Sequence, residues 1–97
     1  MRIRFAHKRL EMLYTEEKGA AHYTRAVVDN FFEAVQYIQA ALDERDLYQA
    51  KAFHYEKLHG RAPERSLRLN KQWRLIVIPT DDAQGSIMEI VAIEDYH

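Results

Sequence analysis

The feature that most constrains the fold is a change of hydrophobic period near the middle of the chain. Between about residues 24 and 44, apolar residues recur at the three- and four-residue spacing of one helix face: Val28, Phe31, Val35, Ile38 and Leu42. After about residue 55, apolar and polar residues instead alternate, which is typical of β-strands. Helices followed by strands predict an α+β fold in which the helices pack on one face of a sheet.

The remaining elements complete this prediction. Residues 2–5 alternate like a short edge strand, and residues 7–18 have helical spacing that ends at Gly19. We expect Leu47 and Tyr48 to anchor a short helix or link. Strands are predicted at 55–58, 66–70, 72–78 (ending at Pro79) and 86–93, the last one central because it is apolar on both faces. The fold class is therefore two N-terminal helices packed on a small, three- to five-stranded, mainly antiparallel sheet, with the opposite face left for function.

Size and composition limit the classes of protein that fit. The 97 residues predict one domain, spanning 1–97, and 47% hydrophobic residues argue against general disorder. Cysteine is absent, which excludes disulfides and thiol chemistry. No apolar run has the length of a membrane span, and the first residues do not resemble a signal peptide. We expect a cytoplasmic protein that does not contact membranes.

The net charge of −1 conceals a strong asymmetry along the chain. Residues 51–75 contain seven Lys/Arg and two Asp/Glu, a balance of +5, whereas residues 76–97 contain no Lys/Arg and five Asp/Glu. A cationic stretch is typical of proteins that bind polyanions. Alternatively, the basic and acidic strands pair across the sheet and cancel each other. Both interpretations stand at this point.

Cationic side chains in the basic stretch are candidates for binding phosphate. Arg68 points away from the apolar face of its strand, and Arg74 has the opposite parity from Trp73 and Leu75. A tight turn joins the two strands, so Arg68 and Arg74 are predicted to share a face, where guanidinium groups suit phosphate. Lys57, Arg61 and Arg65 lie nearby in sequence; pairing with carboxylates or simple solvation is the alternative for them. Trp73 is predicted to lie in the core.

Acid–base chemistry points to histidines near the same segment. His54 and His59 flank the strand at 55–58, and His97 follows Asp95 and Tyr96. Imidazoles titrate near neutrality and therefore serve as acids or bases in RNA cleavage. A lone surface histidine usually has no function, so the clustering carries the argument. A metal site built from His54, His59 and Asp95 is conceivable, but no recognised ligand spacing supports it.

Four segments in order resemble the RelE/HigB superfamily of type II toxins. They match its pattern of a K-L-x-G run, an alternating S-R-N strand, a W-R pair and, in the HigB branch, a closing D-Y-H: Glu56-Lys57-Leu58-His59-Gly60, Ser66-Leu67-Arg68-Leu69-Asn70, Gln72-Trp73-Arg74 and Asp95-Tyr96-His97. Each motif alone is unspecific. Their order and spacing over residues 56–97 carry the resemblance, which extends in element order to nearly the whole chain.

The resemblance implies a microbial-RNase-like fold and a toxin that cleaves mRNA on the translating ribosome. In that reaction a ribose 2′-OH attacks the adjacent phosphate and leaves a cyclic phosphate. It also implies a cognate antitoxin, commonly a helix-turn-helix protein like HigA, through which alone the toxin would meet operator DNA. No metal or cofactor is expected.

The same resemblance implies roles for individual residues. Asp95, Tyr96 and His97 match the terminal functional group of the family, and Arg68 and Arg74 match its basic sheet positions. This sequence departs from many HigB members by carrying His59 where a lysine precedes the loop glycine and Glu56 where a histidine stands. The general base therefore remains open between His97 and His54, with His59 as a further acid. Lys57, Arg68 and Arg74 are expected to bind the phosphate.

Two other functions fit the same fold. The related ParE branch inhibits DNA gyrase and is not a nuclease, although an inhibitor needs no acid–base group such as the terminal Asp-Tyr-His. A catalytically inactive module that uses its basic strands to bind RNA or the antitoxin is the second alternative.

Overall fold

A five-stranded mixed sheet with helices on one face forms the molecule, and the computed structural model describes residues 1–95. The elements, in chain order, are β1 (Arg2–Phe5), α1 (Lys8–Glu16), a 3₁₀ turn (Ala20–His22), α2 (Arg25–Ala40), α3 (Glu44–Leu47), β2 (Glu56–Lys57), β3 (Arg65–Arg68), β4 (Trp73–Asp82) and β5 (Gly85–Asp95). The strand order is β1-β5-β4-β3-β2. The predicted α+β class is confirmed.

The arrangement of the first elements corrects the prediction of two N-terminal helices. A strand comes first: β1 pairs with β5 in parallel, while the other three pairings are antiparallel. Parallel pairing needs a crossover connection, and the helices between β1 and the later strands belong to it. β1 is an edge strand and β5 is central, as the sequence predicts.

The hydrophobic core lies between the helices and one face of the sheet. Thr24 caps α2 by accepting a hydrogen bond from the Val27 N–H at 3.4 Å, and Phe31 is fully buried. Leu42 is a correction to the predicted stripe: α2 ends at Ala40, and Leu42 is 86% exposed. Of the two predicted anchors after α2, Leu47 is buried whereas Tyr48 is exposed.

The strands also differ in extent from the prediction. β4 continues through Pro79, which pairs with Met88, instead of ending there. Proline lacks an N–H, so it is tolerated where a strand has a free edge. β3 pairs with β4 only as far as Val77, so Pro79 lies on a stretch that has β5 alone as its neighbour. The β4–β5 hairpin is correspondingly longer and its loop shorter than predicted.

Strand register defines the side of the sheet that carries no helix. Directly opposed residues on neighbouring strands share a side. We call this side the open face, and its residues on β2 to β5 are Glu56, Ser66, Arg68, Arg74, Ile76, Ala92 and Glu94. The core side carries the alternating residues, among them Leu67, Leu75 and Val77.

Candidate active site on the open face

Two arginines and a glutamate form a row across the open face. Arg68 on β3 lies directly opposite Arg74 on β4, and Arg74 lies opposite Glu94 on β5. The prediction that Arg68 and Arg74 share a face is thereby confirmed. Arg68 is exposed, whereas Arg74 is only 5% exposed. The row thus offers one accessible guanidinium beside one that the fold holds in place.

The turn between β3 and β4 positions Arg74. The side-chain oxygen of Asn70 accepts hydrogen bonds from the backbone N–H groups of Gln72 (2.8 Å) and Trp73 (2.7 Å), which is the local closure that favours asparagine in turns. Arg74 in turn donates from Nη1 to the Asn70 carbonyl at 3.0 Å. The turn therefore fixes both the hairpin and the guanidinium at its base.

The loop of residues 58–64 reaches across the open face. The two terminal nitrogens of Arg61 donate to the two oxygens of Glu94, each at 2.9 Å, and Nε donates to Glu64 at 2.7 Å. Arg61 thus spans from the loop before β3 to β5. The hydrogen bond with Glu94, the strongest cause, raises the pKa of Arg61 above its ordinary value. Gly60, at φ +74°, permits the left-handed backbone of this loop.

Part of the open face is buried, although none of the helices in residues 1–95 covers it. Ser66 and Ile76 belong to the open face, yet both are fully buried. The Ser66 hydroxyl oxygen is buried without a hydrogen-bond partner among the described residues. The candidate site is therefore a charged row bordered by the buried residues Ser66 and Ile76.

His54 lies just before β2, the strand at the outer edge of the sheet. The Arg68 N–H donates to the Phe53 carbonyl at 2.5 Å, which brings the residues before β2 beside β3. The imidazole Nε2 of His54 lies 3.3 Å from the Glu56 carboxylate and is largely exposed. His54 has a left-handed backbone (φ 47°), uncommon for a residue other than glycine. An imidazole paired with a carboxylate therefore lies at the β2 edge of the open face, since Glu56 is opposite Ser66, two residues before Arg68 on β3.

Three other predicted residues do not join the row. Strand pairing sets Lys57 beside Arg65, on the parity of the helix-covered side. Arg65 donates to Glu44 of α3 at 3.0 Å and to the Pro63 carbonyl at 2.8 Å. Burial by itself lowers the pKa of Arg65, but the bond and charge of Glu44 outweigh this and raise it. His59 is exposed in the 58–64 loop and makes no hydrogen bond or ion pair within residues 1–95.

The strand end carries the last predicted group. Asp95 pairs with Trp73 across β4 and β5, and its carboxylate accepts a hydrogen bond from the Gln72 side chain at 3.1 Å. The predicted residues Tyr96 and His97 lie outside the described residues. Within residues 1–95, no three His, Cys, Asp or Glu side chains lie close enough to hold a metal ion, so the conceived site of His54, His59 and Asp95 is not formed.

Sequence reasoning did not select Glu94 as a site residue. It lies one residue before the Asp-Tyr-His motif, opposite Arg74, and is the carboxylate that closes the 58–64 loop. The signal was its cross-strand register, which follows only once the hairpin turn is placed. The alternative interpretation of the charge asymmetry is confirmed for Arg61, which pairs with Glu94 of the acidic strand, whereas Arg68 is exposed on the same face.

This arrangement suits chemistry on a phosphodiester. Guanidinium groups bind phosphate through two parallel hydrogen bonds and stabilise charge that develops on its oxygens. An imidazole at the edge of the same face can transfer protons near neutral pH. None of the helices in residues 1–95 is long and apolar enough to cross a membrane.

Comparisons with known proteins agree with this architecture. A family model described as the RelE-like toxin of type II toxin-antitoxin system HigB matches residues 3–92. Among solved structures, a YoeB/ParE toxin from Agrobacterium tumefaciens is similar, with a TM-score of 0.67, 14% sequence identity and coverage of 100% of both chains. At that identity the likeness shows the fold alone. A search of curated proteins gave no match. Because the family model covers nearly all of it, the chain belongs to the HigB-like, RelE-related toxins of type II toxin–antitoxin systems.

Proposed function

We propose that this toxin is an endoribonuclease that cleaves mRNA on the translating ribosome without a metal ion. The observation that carries the proposal is the row of Arg68, Arg74 and Glu94 across the open face, with the pair of His54 and Glu56 at the β2 edge of that face and Asp95 at the strand end. Family membership supports it, because this row of charged residues lies on the sheet of a HigB-like toxin.

The proposed reaction begins at the ribose 2′-OH. A base removes the 2′-OH proton, the oxygen attacks the adjacent phosphorus, and the 5′-oxygen of the next nucleotide leaves with a proton from an acid. The products are a 2′,3′-cyclic phosphate and a 5′-OH end. Arg68 and Arg74 bind the phosphate and stabilise its added negative charge. His54 and His97 exchange the two protons, and Glu56 orients the His54 ring.

The remaining predicted residues receive supporting roles. Asp95 orients an imidazole, and Tyr96 stacks on the nucleotide. Arg61 closes the 58–64 loop through Glu94 rather than contacting phosphate, and His59 in the same loop faces solvent where RNA would approach. We leave Arg65 and Lys57 out of phosphate binding because strand parity sets them on the other side of the sheet.

The implied partner is a cognate antitoxin. Type II toxins are neutralised by an antitoxin protein, and we propose a helix-turn-helix, HigA-like protein that covers the open face and alone contacts operator DNA. Binding there would block RNA access because the same cationic side chains are used. We propose a cytoplasmic site of action, where the ribosome and mRNA are.

The test is induced expression with mapping of mRNA 5′ ends. Wild type, Arg68→Gln and a matched Arg25→Gln control are compared; Arg25 is an exposed helix arginine paired with Asp29. We expect growth arrest and new translation-dependent 5′ ends for wild type and Arg25→Gln, with both lost in Arg68→Gln. Arrest without new ends would reject the nuclease, and a gyrase supercoiling assay would then test the ParE-like alternative. Absence of arrest in the wild type would favour an inactive binding module.

A further inference from the structure

A second cationic feature lies on the helix side of the sheet, at the same end as Asp95. It is a cavity of about 280 Å³ between α1, the 3₁₀ turn and the start of β4. Leu10 and Leu13 of α1 form its apolar floor, and Trp73 and Tyr23 form one wall. Arg9, Lys18 and His22 line the remainder. The proposed mechanism uses none of these residues.

The aromatic wall suits a planar ligand. The rings of Tyr23 and Trp73 meet edge to face, with centroids 5.5 Å apart and planes at 89°. Both rings are partly buried, so each is fixed by the core while part of it faces the cavity. Aromatic side chains of this kind stack on unpaired bases, and this contact tolerates any base because every base has a flat face.

The basic side chains at the cavity have no acidic partner closer than 3.8 Å among residues 1–95. Within residues 1–95, Arg9 and His22 make no ion pair or side-chain hydrogen bond, and Lys18 has only a 3.8 Å contact with Glu16. Arg61 and Arg65, by contrast, are held by carboxylates at 2.9 and 3.0 Å. The aromatic wall suits the base of a nucleotide. The basic side chains without a close carboxylate suit its phosphate.

We propose that this cavity binds a nucleotide of single-stranded RNA that flanks the scissile phosphate. Trp73 pairs across the hairpin with Asp95 and immediately precedes Arg74, so the cavity and the open face meet at one strand end. An RNA strand that leaves Arg74 passes this end and places its next base against Trp73, with a phosphate near Arg9. The inference rests on the proposed function, since it supplies a second subsite for the same substrate.

The chain carries its own reporter for this site. Trp73 is the only tryptophan, so intrinsic fluorescence reports on the cavity wall. The probe is a hexanucleotide of 2′-O-methyl RNA, which has no free 2′-OH and is not cleaved. We expect this oligonucleotide to quench the fluorescence of Trp73. Arg9→Gln should weaken binding by roughly 5–10-fold, as the loss of one charged contact does, and should lower the slope of log affinity against log salt by about 0.7.

Lys8→Gln is the matched control. Lys8 is the neighbouring residue on α1, is exposed, and pairs with Glu11 at 3.3 Å away from the cavity residues. The same change of charge there should leave affinity within about twofold, because long-range charge alone is screened by salt. Equal weakening by both variants would show that only overall charge matters, and would overturn the subsite. Far-UV circular dichroism confirms that both variants fold.

The outcomes separate this inference from the proposed function. RNA that binds and is cut on ribosomes with no change in Trp73 fluorescence would overturn the subsite and leave the nuclease intact. Quenching that depends on Arg9, in a protein that cuts no mRNA, would support the subsite and reject the nuclease. Equal quenching by inorganic phosphate would show that the site binds only an anion, and would overturn the proposal that a base stacks there. Quenching by the antitoxin and not by RNA would assign the cavity to the antitoxin and overturn the inference.

Discussion

Two arginines on the short strand β3 differ in their surroundings. Arg65 and Arg68 are three residues apart on β3, so they point to opposite sides of the sheet. Arg65 faces α3, where Glu44 accepts its hydrogen bond and also one from the Tyr55 hydroxyl at 2.9 Å. Arg68 faces away from the helices, opposite Arg74, and is exposed. One residue type therefore forms a structural ion pair at position 65 and a candidate substrate contact at position 68.

This difference shows that strand parity decides what a charge can do. At the Arg65 position the side chain is only 15% exposed, so its charge loses most of its water and is stabilised by a partner, the Glu44 carboxylate. Burial, the largest cause, and the Glu44 bond both raise the pKa of Tyr55, which shares the Glu44 carboxylate with Arg65. The contact between Arg65 and Glu44 therefore lies in a partly desolvated environment. On the open face the exposed Arg68 guanidinium keeps its water until a ligand replaces it. Stability should therefore depend on Arg65 and catalysis on Arg68.

The largest effect should come from the core beneath the helix-covered side. Phe31 is fully buried on α2. Phe31→Ala should lower the free energy of unfolding by about 3–5 kcal/mol, because it removes a large buried ring and leaves a cavity. Urea denaturation followed by circular dichroism measures this. A loss below ~1 kcal/mol would mean that this side does not carry the stability. The partly exposed neighbour Phe32 is the control, and Phe32→Ala should cost less.

Arg68→Gln should separate activity from stability on the open face. We expect ribosome-dependent mRNA cleavage to fall by about 10²–10³-fold, the usual cost of removing one group that stabilises transition-state charge. The free energy of unfolding should change by no more than about 0.5 kcal/mol because the side chain is exposed. Single-turnover cleavage on purified ribosomes and denaturation of the same preparation give both values. If Arg68→Gln unfolds the protein instead, the division between the two sides is wrong.

Arg65→Gln should show the reverse pattern. The Arg65 and Glu44 side chains are 15% and 30% exposed, so their bond is screened only in part. Loss of this charged hydrogen bond should cost about 1.5–3 kcal/mol of stability, while cleavage per folded molecule stays near wild type. The double variant Arg65→Gln/Glu44→Gln should lose less than the sum of the two single variants, because they share one interaction. Additive losses would argue that the contact contributes nothing.

The sequence alone could predict which residues of a strand lie on the same side of the sheet. The period of two fixes which residues of a strand alternate, and the short turn at Asn70 fixes the register of β3 against β4. Arg68 and Arg74 could therefore be placed on one face without a structure. The same alternation applied to Arg65 sets it on the other side, which the sequence analysis did not use when it grouped the cations by proximity along the chain.

Other parts of the structure depend on tertiary contacts that no periodic sequence pattern indicates. The 58–64 loop crosses the sheet to Glu94, and no local pattern indicates where a loop will lie. Leu42 fits the helical stripe, but the helix ends before it, since the neighbouring Asp43 caps α3 by accepting a hydrogen bond from the Arg45 N–H at 2.9 Å. Tertiary contacts and competing caps therefore override the pattern at these positions.

A small effect on stability is also expected for the ion pair of Arg61 and Glu94, which joins the 58–64 loop to β5. The Arg61 and Glu94 side chains are 43% and 39% exposed, and exposed ion pairs contribute about 0–1 kcal/mol. Glu94→Gln should therefore leave the free energy of unfolding nearly unchanged. It removes a negative charge beside Arg74 and releases one partner of Arg61, so binding of uncleavable RNA should tighten and become more salt-dependent.

Arg61→Gln is the complementary variant for this pair. It releases the loop while leaving the Glu94 carboxylate beside Arg74, where it repels phosphate, so RNA binding should weaken. Opposite changes in affinity with near-equal stability would establish that the loop pair tunes the charge of the open face and does not hold the fold together. If both variants instead lose stability by more than ~2 kcal/mol, the open face also carries structure, and the contrast with the Arg65 side fails.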